Sequence, residues 1–406
     1  MTAEAPGPQR EIRRRNLSRV LYAVAQQGPS SRAAVATRLG LTRTAVSTLV
    51  DELLRGGLLT EQGPTPAAGG PGRPGTALAL TDSGPCGLGA EIGVDHLAVC
   101  ATDVRGRVRA RAETGSPGRD GVPGAVLTPL RELVDQVAAR ARKLGLAPAA
   151  LAVAVPGLVA RGTASVVRAP NLGWQGVDLA PPLAEAGAER DPLPLLVDNE
   201  ANLGALAELW LGGGRVPRDF VHVSAEVGIG AAVVLDGALL RGHRGFAGEM
   251  GHMPVHPDGD RCACGGRGCL EQYAAEPALL RAAGIAADRP RAAALADLLE
   301  QAAAGGVRAL DALEAAGGAL GLALAGTVNL LDPRALVLGG GVLARFAPWL
   351  LPPLERELSE RTAAPGALPE LLVSELGADG PLLGAAHAAV RVVLDDPLSH
   401  LAGPRG

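Results

Sequence analysis

The residues with the clearest chemical pattern lie in one short stretch. Gly251-His252 is followed, after nine residues, by Cys262-Ala263-Cys264-Gly265-Gly266-Arg267-Gly268-Cys269-Leu270-Glu271. Three thiolates and an imidazole form a closed tetrahedral set that suits zinc, and the glycines let the chain turn tightly around it. His252, Cys262, Cys264 and Cys269 are therefore the expected ligands of a Zn2+ ion, and a closed shell with no place for water makes that zinc structural. Of five cysteines, three crowd into eight residues, which favours metal over a disulfide framework. Cys86 and Cys100 lie outside the motif and read as ordinary core or surface residues.

Carboxylates and amides accompany this stretch. Glu249 precedes it and Glu271 closes it, while Asn171 lies in Ala169-Pro170-Asn171-Leu172-Gly173-Trp174 and Asn199-Glu200 in Val197-Asp198-Asn199-Glu200-Ala201-Asn202. Side chains of these types fix hydroxyl-rich ligands through directional hydrogen bonds. Taken one at a time, each is equally an ordinary surface residue.

These groups need elements to position them, and the chain has material for several. Its 406 residues, 47% hydrophobic and 20% charged, exclude disorder and suggest two or three packed units. Aromatic residues are only 2%, which argues against a surface that stacks unpaired bases. The first fifteen residues are polar and end in Arg13-Arg14-Arg15, so no export signal is legible and a cytoplasmic location is expected. Residues 144–160 and 315–331 are apolar but interrupted by proline or glycine, and read as buried elements of a soluble fold with no membrane partner.

Charge divides the chain. Residues 1–85 hold ten Arg against six Asp or Glu, a net of +4, and the remaining 321 residues carry −8. A basic head on an acidic body suggests that the head meets a polyanion. Leu17, Val20, Leu21 and Val24 recur at helical spacing, Ser31 caps a second short helix, Gly40 turns, and Thr42 caps a third. Leu58 to Thr60 and Thr76 to Leu80 then read as wing strands. The pattern is a winged helix-turn-helix, in which Arg43, Thr44, Ser47 and Thr48 face a major groove and Arg73, at the wing tip Gly72-Arg73-Pro74, enters a minor groove. Periodicity alone also fits a three-helix protein-interaction module.

From Gly87 the pattern becomes strands: a three-strand meander, a helix near residues 126–144, and an apolar strand ending at Pro156-Gly157. A second meander starts at Val221. One plan used twice implies two lobes with a cleft between them.

Together these residues resemble the ROK family of sugar kinases and sugar-responsive repressors, over about residues 10–389. The resemblance implies an α/β protein with an N-terminal winged helix-turn-helix and a two-lobed, actin-like (ribonuclease-H-like) sugar-kinase fold. The expected divisions are 1–85 for the head, 86–205 for the first lobe, completed by 380–398, and 206–379 for the second lobe with the zinc loop. The Gly-His and Cys-x-Cys-Gly-x-x-Gly-Cys-x-Glu patterns match position by position. The resemblance further implies that Asn171, Asn199, Glu200, Glu249, His252 and Glu271 contact a hexose, His252 serving both zinc and sugar.

The phosphate loops depart from the family's kinases. Their Asp-Ile-Gly-Gly-Thr stands here as Glu91-Ile92-Gly93-Val94-Asp95, and their Gly-Thr-Gly-Ile-Gly as Glu226-Val227-Gly228-Ile229-Gly230. Each loop loses a Gly and a Thr and gains a carboxylate, and the family's catalytic Asp is Glu200. The expectation is a non-enzymatic, sugar-responsive regulator, acting as a repressor, whose kinase core serves as sensor, with no catalytic residue of its own. Its expected partners are a sugar or sugar phosphate effector and a double-stranded DNA operator, bound as an inverted repeat by a homodimer or homotetramer. The alternatives are an active ATP-dependent hexokinase with a fused DNA-binding head, and a scaffold that docks a transporter protein.

Overall fold

The computed structural model describes residues 7–64, 76–116, 121–286, 288–364 and 366–401. Arg73 and the wing tip lie outside the described residues. The head consists of helices Pro8–Gln27, Arg32–Leu39 and Arg43–Arg55 and a three-stranded sheet ordered Ser30–Ser31, Thr76–Leu80, Leu59–Pro64. Its local signals act as read: Ser31 Oγ accepts from the Ala34 N–H at 3.2 Å, Thr42 Oγ1 accepts from the Ala45 N–H at 3.2 Å, and Gly40 adopts φ +65°.

The body contains two five-stranded sheets of one topology. In the first, the order is Leu195–Asn199, Leu146–Val155, Gly84–Ile92, His96–Asp103, Val108–Gly115. In the second it is Glu370–Val373, Ala335–Gly339, Phe220–Ala225, Ile229–Leu235, Ala238–Leu239. Each is an antiparallel meander extended by two parallel strands. The central parallel strands are continuously apolar because helices cover both faces. Helix Pro123–Lys143 covers one face of the first sheet and helix Gly380–Asp395 the other. A Cβ on Gly89 would stand 2.4 Å from the Ala386 backbone nitrogen, so a glycine strand is what lets that helix lie this close.

Helix Glu200–Leu211 spans the expected boundary at residue 205. Leu203 and Leu206 pack with Ala150, Ala152 and Ala154 of the first lobe, while Ala205 packs with Phe220, Ala232 and Val337 of the second. The helix therefore belongs to both lobes. One helix among the described residues, Val307–Leu331, is long and apolar enough to cross a membrane. Its inner face, including Leu313, Leu320 and Leu324, lies in the second lobe's core.

The head is joined to the body by more than the chain. Leu17, Leu21, Val50 and Leu53 share one core cluster with Val390, Val393 and Leu394 of helix Gly380–Asp395.

Candidate sugar pocket and metal centre

Residues Met250–His252 form a single 3-10 turn, and the loop after it returns through an isolated bridge between Pro254 and Cys269. This brings ligand atoms of His252, Cys262, Cys264 and Cys269 within 4.8 Å of one another. The Cys264 and Cys269 sulfurs are 3.7 Å apart, and Cys262 Sγ is 3.7 Å from His252 Nδ1. A tetrahedron of metal–sulfur bonds of about 2.3 Å has edges of roughly 3.8 Å, so the group fits a metal ion of zinc's size and preference. Cys86 and Cys100 are buried in first-lobe strands, away from this group.

The other imidazole nitrogen, His252 Nε2, lies 3.8 Å from Glu249 Oε2, and His252 Nδ1 lies 3.8 Å from Glu271 Oε2. Beside them opens a small cavity of about 70 Å3 whose wall includes all six of Asn171, Asn199, Glu200, Glu249, His252 and Glu271. A larger cavity of about 820 Å3 lies elsewhere, between the edge strand Leu195–Asn199 and Trp210, and holds none of the six. Chemistry, not volume, separates the two.

Part of this polarity is already committed. Asn199 caps helix Glu200–Leu211: its Oδ1 accepts from Ala201 N–H at 2.8 Å and Asn202 N–H at 3.3 Å, and its Nδ2 donates to Gly157 O at 2.9 Å. Glu271 Oε1 accepts from the Ile229 N–H at 2.9 Å and so fixes the second glycine loop against the metal turn. At Gly228 a Cβ would stand 2.7 Å from that same oxygen, so a larger residue there would push Glu271 away from the Ile229 N–H.

Behind Glu200 lies a second cavity of about 100 Å3, lined by Glu91, Asp95, His96, Glu226, Arg291 and Gly340 among others. Burial, with Glu91, Glu226 and Glu271 nearby, pushes the Glu200 carboxyl up to about 8. His96 is raised to about 9 by its contact with Glu91, and it stands 3.0 Å from Asp95. Arg291 Nε donates to both oxygens of Glu276, at 2.9 and 2.8 Å, and its Nη1 reaches Asp95 Oδ2 at 3.2 Å. Its Nη2 donates to Glu226. On the side of the metal loop, Arg168 of the first lobe donates to Ala263 O at 2.8 Å and Cys264 O at 3.2 Å. Arg168 and Arg291 thus cross the cleft on either side of Glu200. Sequence reading missed both, since an isolated Arg carries no signal beyond a solvated surface.

On the third head helix, Arg43, Thr44 and Thr48 are exposed and Ser47 is half-buried. The Thr48 hydroxyl donates to Thr44 O at 3.2 Å, which leaves its oxygen to accept. The helix's acids are neutralised from its inner side: Arg32 pairs with Asp51 at 2.6 Å and Arg13 with Glu52 at 2.9 Å.

A helix-turn-helix head of DNA-binding type on a duplicated, two-lobed body defines a winged regulator built on a sugar-kinase-like fold. The ROK family model matches residues 87–391, and the chain belongs to the ROK family. A MarR family model matches residues 15–69. The chain is similar to the xylose repressor of Bacillus spizizenii, at 29% identity over 389 residues, covering 95% of this chain and 97% of that one. Its structure resembles that of a ROK family transcriptional regulator, a homolog of the E. coli MLC protein, with a TM-score of 0.79, 26% identity, and coverage of 97% and 100%. The body alone resembles a ROK family glucokinase from Streptomyces griseus in complex with glucose and AMPPNP, with a TM-score of 0.64 and 28% identity over 75% of this chain and 99% of that one.

Proposed function

We propose that this chain is a sugar-responsive, DNA-binding transcriptional repressor of the cytoplasm whose kinase-type core senses a sugar or sugar phosphate and transfers no phosphate. Residues 1–85 read DNA, and the lobes 86–205 with 380–398 and 206–379 close on the effector. Asn171, Asn199, Glu200, Glu249, His252 and Glu271 hold its hydroxyls. A structural Zn2+ on His252, Cys262, Cys264 and Cys269 orients His252 and Glu249 toward the ligand.

The observation that carries this reading is a continuous connection from pocket to head. Helix Glu200–Leu211 starts in the pocket wall and carries Trp210 near its far end. The Arg391 guanidinium stands 4.7 Å from the Trp210 ring centroid and 5.1 Å from that of Tyr22 in the first head helix. Tyr22 in turn donates to Asp395 Oδ1 at 2.5 Å. These packed, charged contacts give a shift of the pocket wall a route to the reading head. Loss of phosphoryl transfer is supported by the carboxylates of Glu91 and Glu226, which face the cavity beside Glu200 where a nucleotide's phosphates would need donors.

Fluorescence anisotropy on operator DNA, with a panel of sugars and sugar phosphates, tests the reading. One sugar should change operator affinity by a coupling of about 1–3 kcal/mol. If no sugar changes either operator affinity or melting temperature, the sensor assignment is wrong. The likeness to a glucokinase supports the second reading, an active hexokinase with a DNA-binding head. A coupled assay with ATP and Mg2+ separates the two, since turnover of about 1 s-1 or faster establishes the enzyme.

A further inference from the structure

We propose that Glu226 is a built-in stand-in for a nucleotide phosphate, and that the Arg291 it holds clasps the two lobes through Asp95. The proposal rests on the kinase-fold reading above. Helix Gly340–Arg361 begins directly after strand Ala335–Gly339, and its cap, Gly339, has no side chain with which to satisfy the first N–H groups. Such a 22-residue helix presents its positive end and free N–H groups to the cleft, the arrangement that binds phosphate elsewhere. Here the Gly341 N–H donates to one oxygen of Glu226. The other oxygen accepts from Arg291 Nη2. A backbone N–H at a helix start and a guanidinium fork are the two donors a phosphate would use, and one carboxylate engages both.

Arg291 is held at three points. Its Nε lies between the two oxygens of Glu276, its Nη2 meets Glu226, and its Nη1 meets Asp95 at 3.2 Å. Glu226, Glu276 and Arg291 belong to the second lobe, whereas Asp95 and its neighbour His96 belong to the first. The contact across the cleft that a bound nucleotide would make is thus made by the chain itself. The donors a phosphate would need at this helix start are already bonded to Glu226. Two consequences follow: a nucleotide phosphate would have to displace Glu226 from its donors, and cleft closure answers to the sugar alone.

The test uses the full chain and inorganic pyrophosphate, with binding read by calorimetry in the presence and absence of the responding sugar. Wild type should not bind pyrophosphate at millimolar concentration. Glu226→Ala, and Glu226→Ser as a second variant in case the first does not fold, should bind it at least about tenfold more tightly than wild type. The double variant Glu226→Ala/Arg291→Ala should lose that gain. Asp95→Asn, which weakens the clasp and the contact with His96 but leaves Glu226 on its donors, should shift sugar affinity without admitting pyrophosphate. The proposal is overturned if wild type binds pyrophosphate as well as the variants do. It is equally overturned if both folded Glu226 variants fail to bind it, or if the gain survives removal of Arg291. Failure of every sugar to change wild-type operator affinity or melting temperature would instead sink the sensor reading, and the pyrophosphate result would still decide this one.

Discussion

Glu200 shows how surroundings change what a residue does. It follows the helix cap Asn199, and burial with three carboxylates nearby raises it from an ordinary 4.5 to about 8. Between those values the unfolded chain has released this proton and the folded chain has kept it, so stability falls as pH rises through the window. His96 acts in the same direction: its raised value of about 9, set chiefly by Glu91, makes a stabilising contribution that is complete below 6.5 and lost as pH rises through 9. Buried His222 and His387, lowered to about 4, act in the opposite direction between about 4 and 6.5, so the decline in melting temperature is expected from about pH 6.5 to about pH 9. Glu200→Gln, a neutral isostere of the protonated acid, should remove the part of that decline between about pH 6.5 and 8, and a wild-type profile flat from about pH 6.5 to 9 would contradict the assignment. At the metal centre, Cys264→Ser should lose zinc and sugar affinity together, because the same turn supplies His252 and Glu249. Metal analysis beside calorimetry decides it, and a zinc-free variant with normal sugar binding would break the coupling.

At the scale of elements, helix Glu200–Leu211 is the part that sees both ends of the response. Its first turn lines the proposed sugar pocket, its middle packs on both sheets, and its last turn brings Trp210 to Arg391. Arg391 also pairs with Asp395 Oδ1 at 3.4 Å, the same oxygen that accepts from Tyr22. Replacing Arg391 with Ala removes the stacking on Trp210 and Tyr22 while leaving pocket and reading helix intact. The expected result is near-normal sugar and operator affinities measured separately, with their coupling reduced by roughly 0.5–2 kcal/mol. Unchanged coupling in titrations of sugar against bound operator would show that the signal travels by another route, such as the shared core of Leu21 and Val393.

For the whole molecule, the head's size sets the requirement. A single winged helix reads too few base pairs for a specific site, so two heads should read an inverted repeat, held by a body that forms a dimer or tetramer. Footprinting on randomised operators should return two half-sites, and a single unrepeated site would refute the geometry. Arg73→Ala should weaken binding and flatten the preference for A·T pairs at the wing position, whereas Thr48→Ala should alter preference inside the half-site. An unchanged flanking preference in Arg73→Ala would remove the wing from the interface.

What was legible in the residues was what the chain settles over short distances. The caps Ser31 and Thr42, the turn at Gly40 and the alternation of strand and helix depend on neighbours a few residues away. The Cys3His group closes within one loop, so its spacing alone announced it. Asn171, Glu200 and Glu271 became one pocket wall only in the folded lobes, and their grouping was legible through family resemblance rather than pattern. The clasps were not legible at all. Arg291 meets a partner 196 residues away in Asp95, and Tyr22 meets Asp395 across 373 residues. An Arg or Tyr in a sequence is by default a solvated or packed side chain, and only the packing of distant elements supplies its partner. The same holds for the junction of head and body. The apolar stripe of Leu17, Val20, Leu21 and Val24 declared that the first helix is buried, but the tertiary fold decided that part of what buries it is the chain's own last long helix. Apolar burial is non-directional, so a stripe records that it needs a cover and not which one.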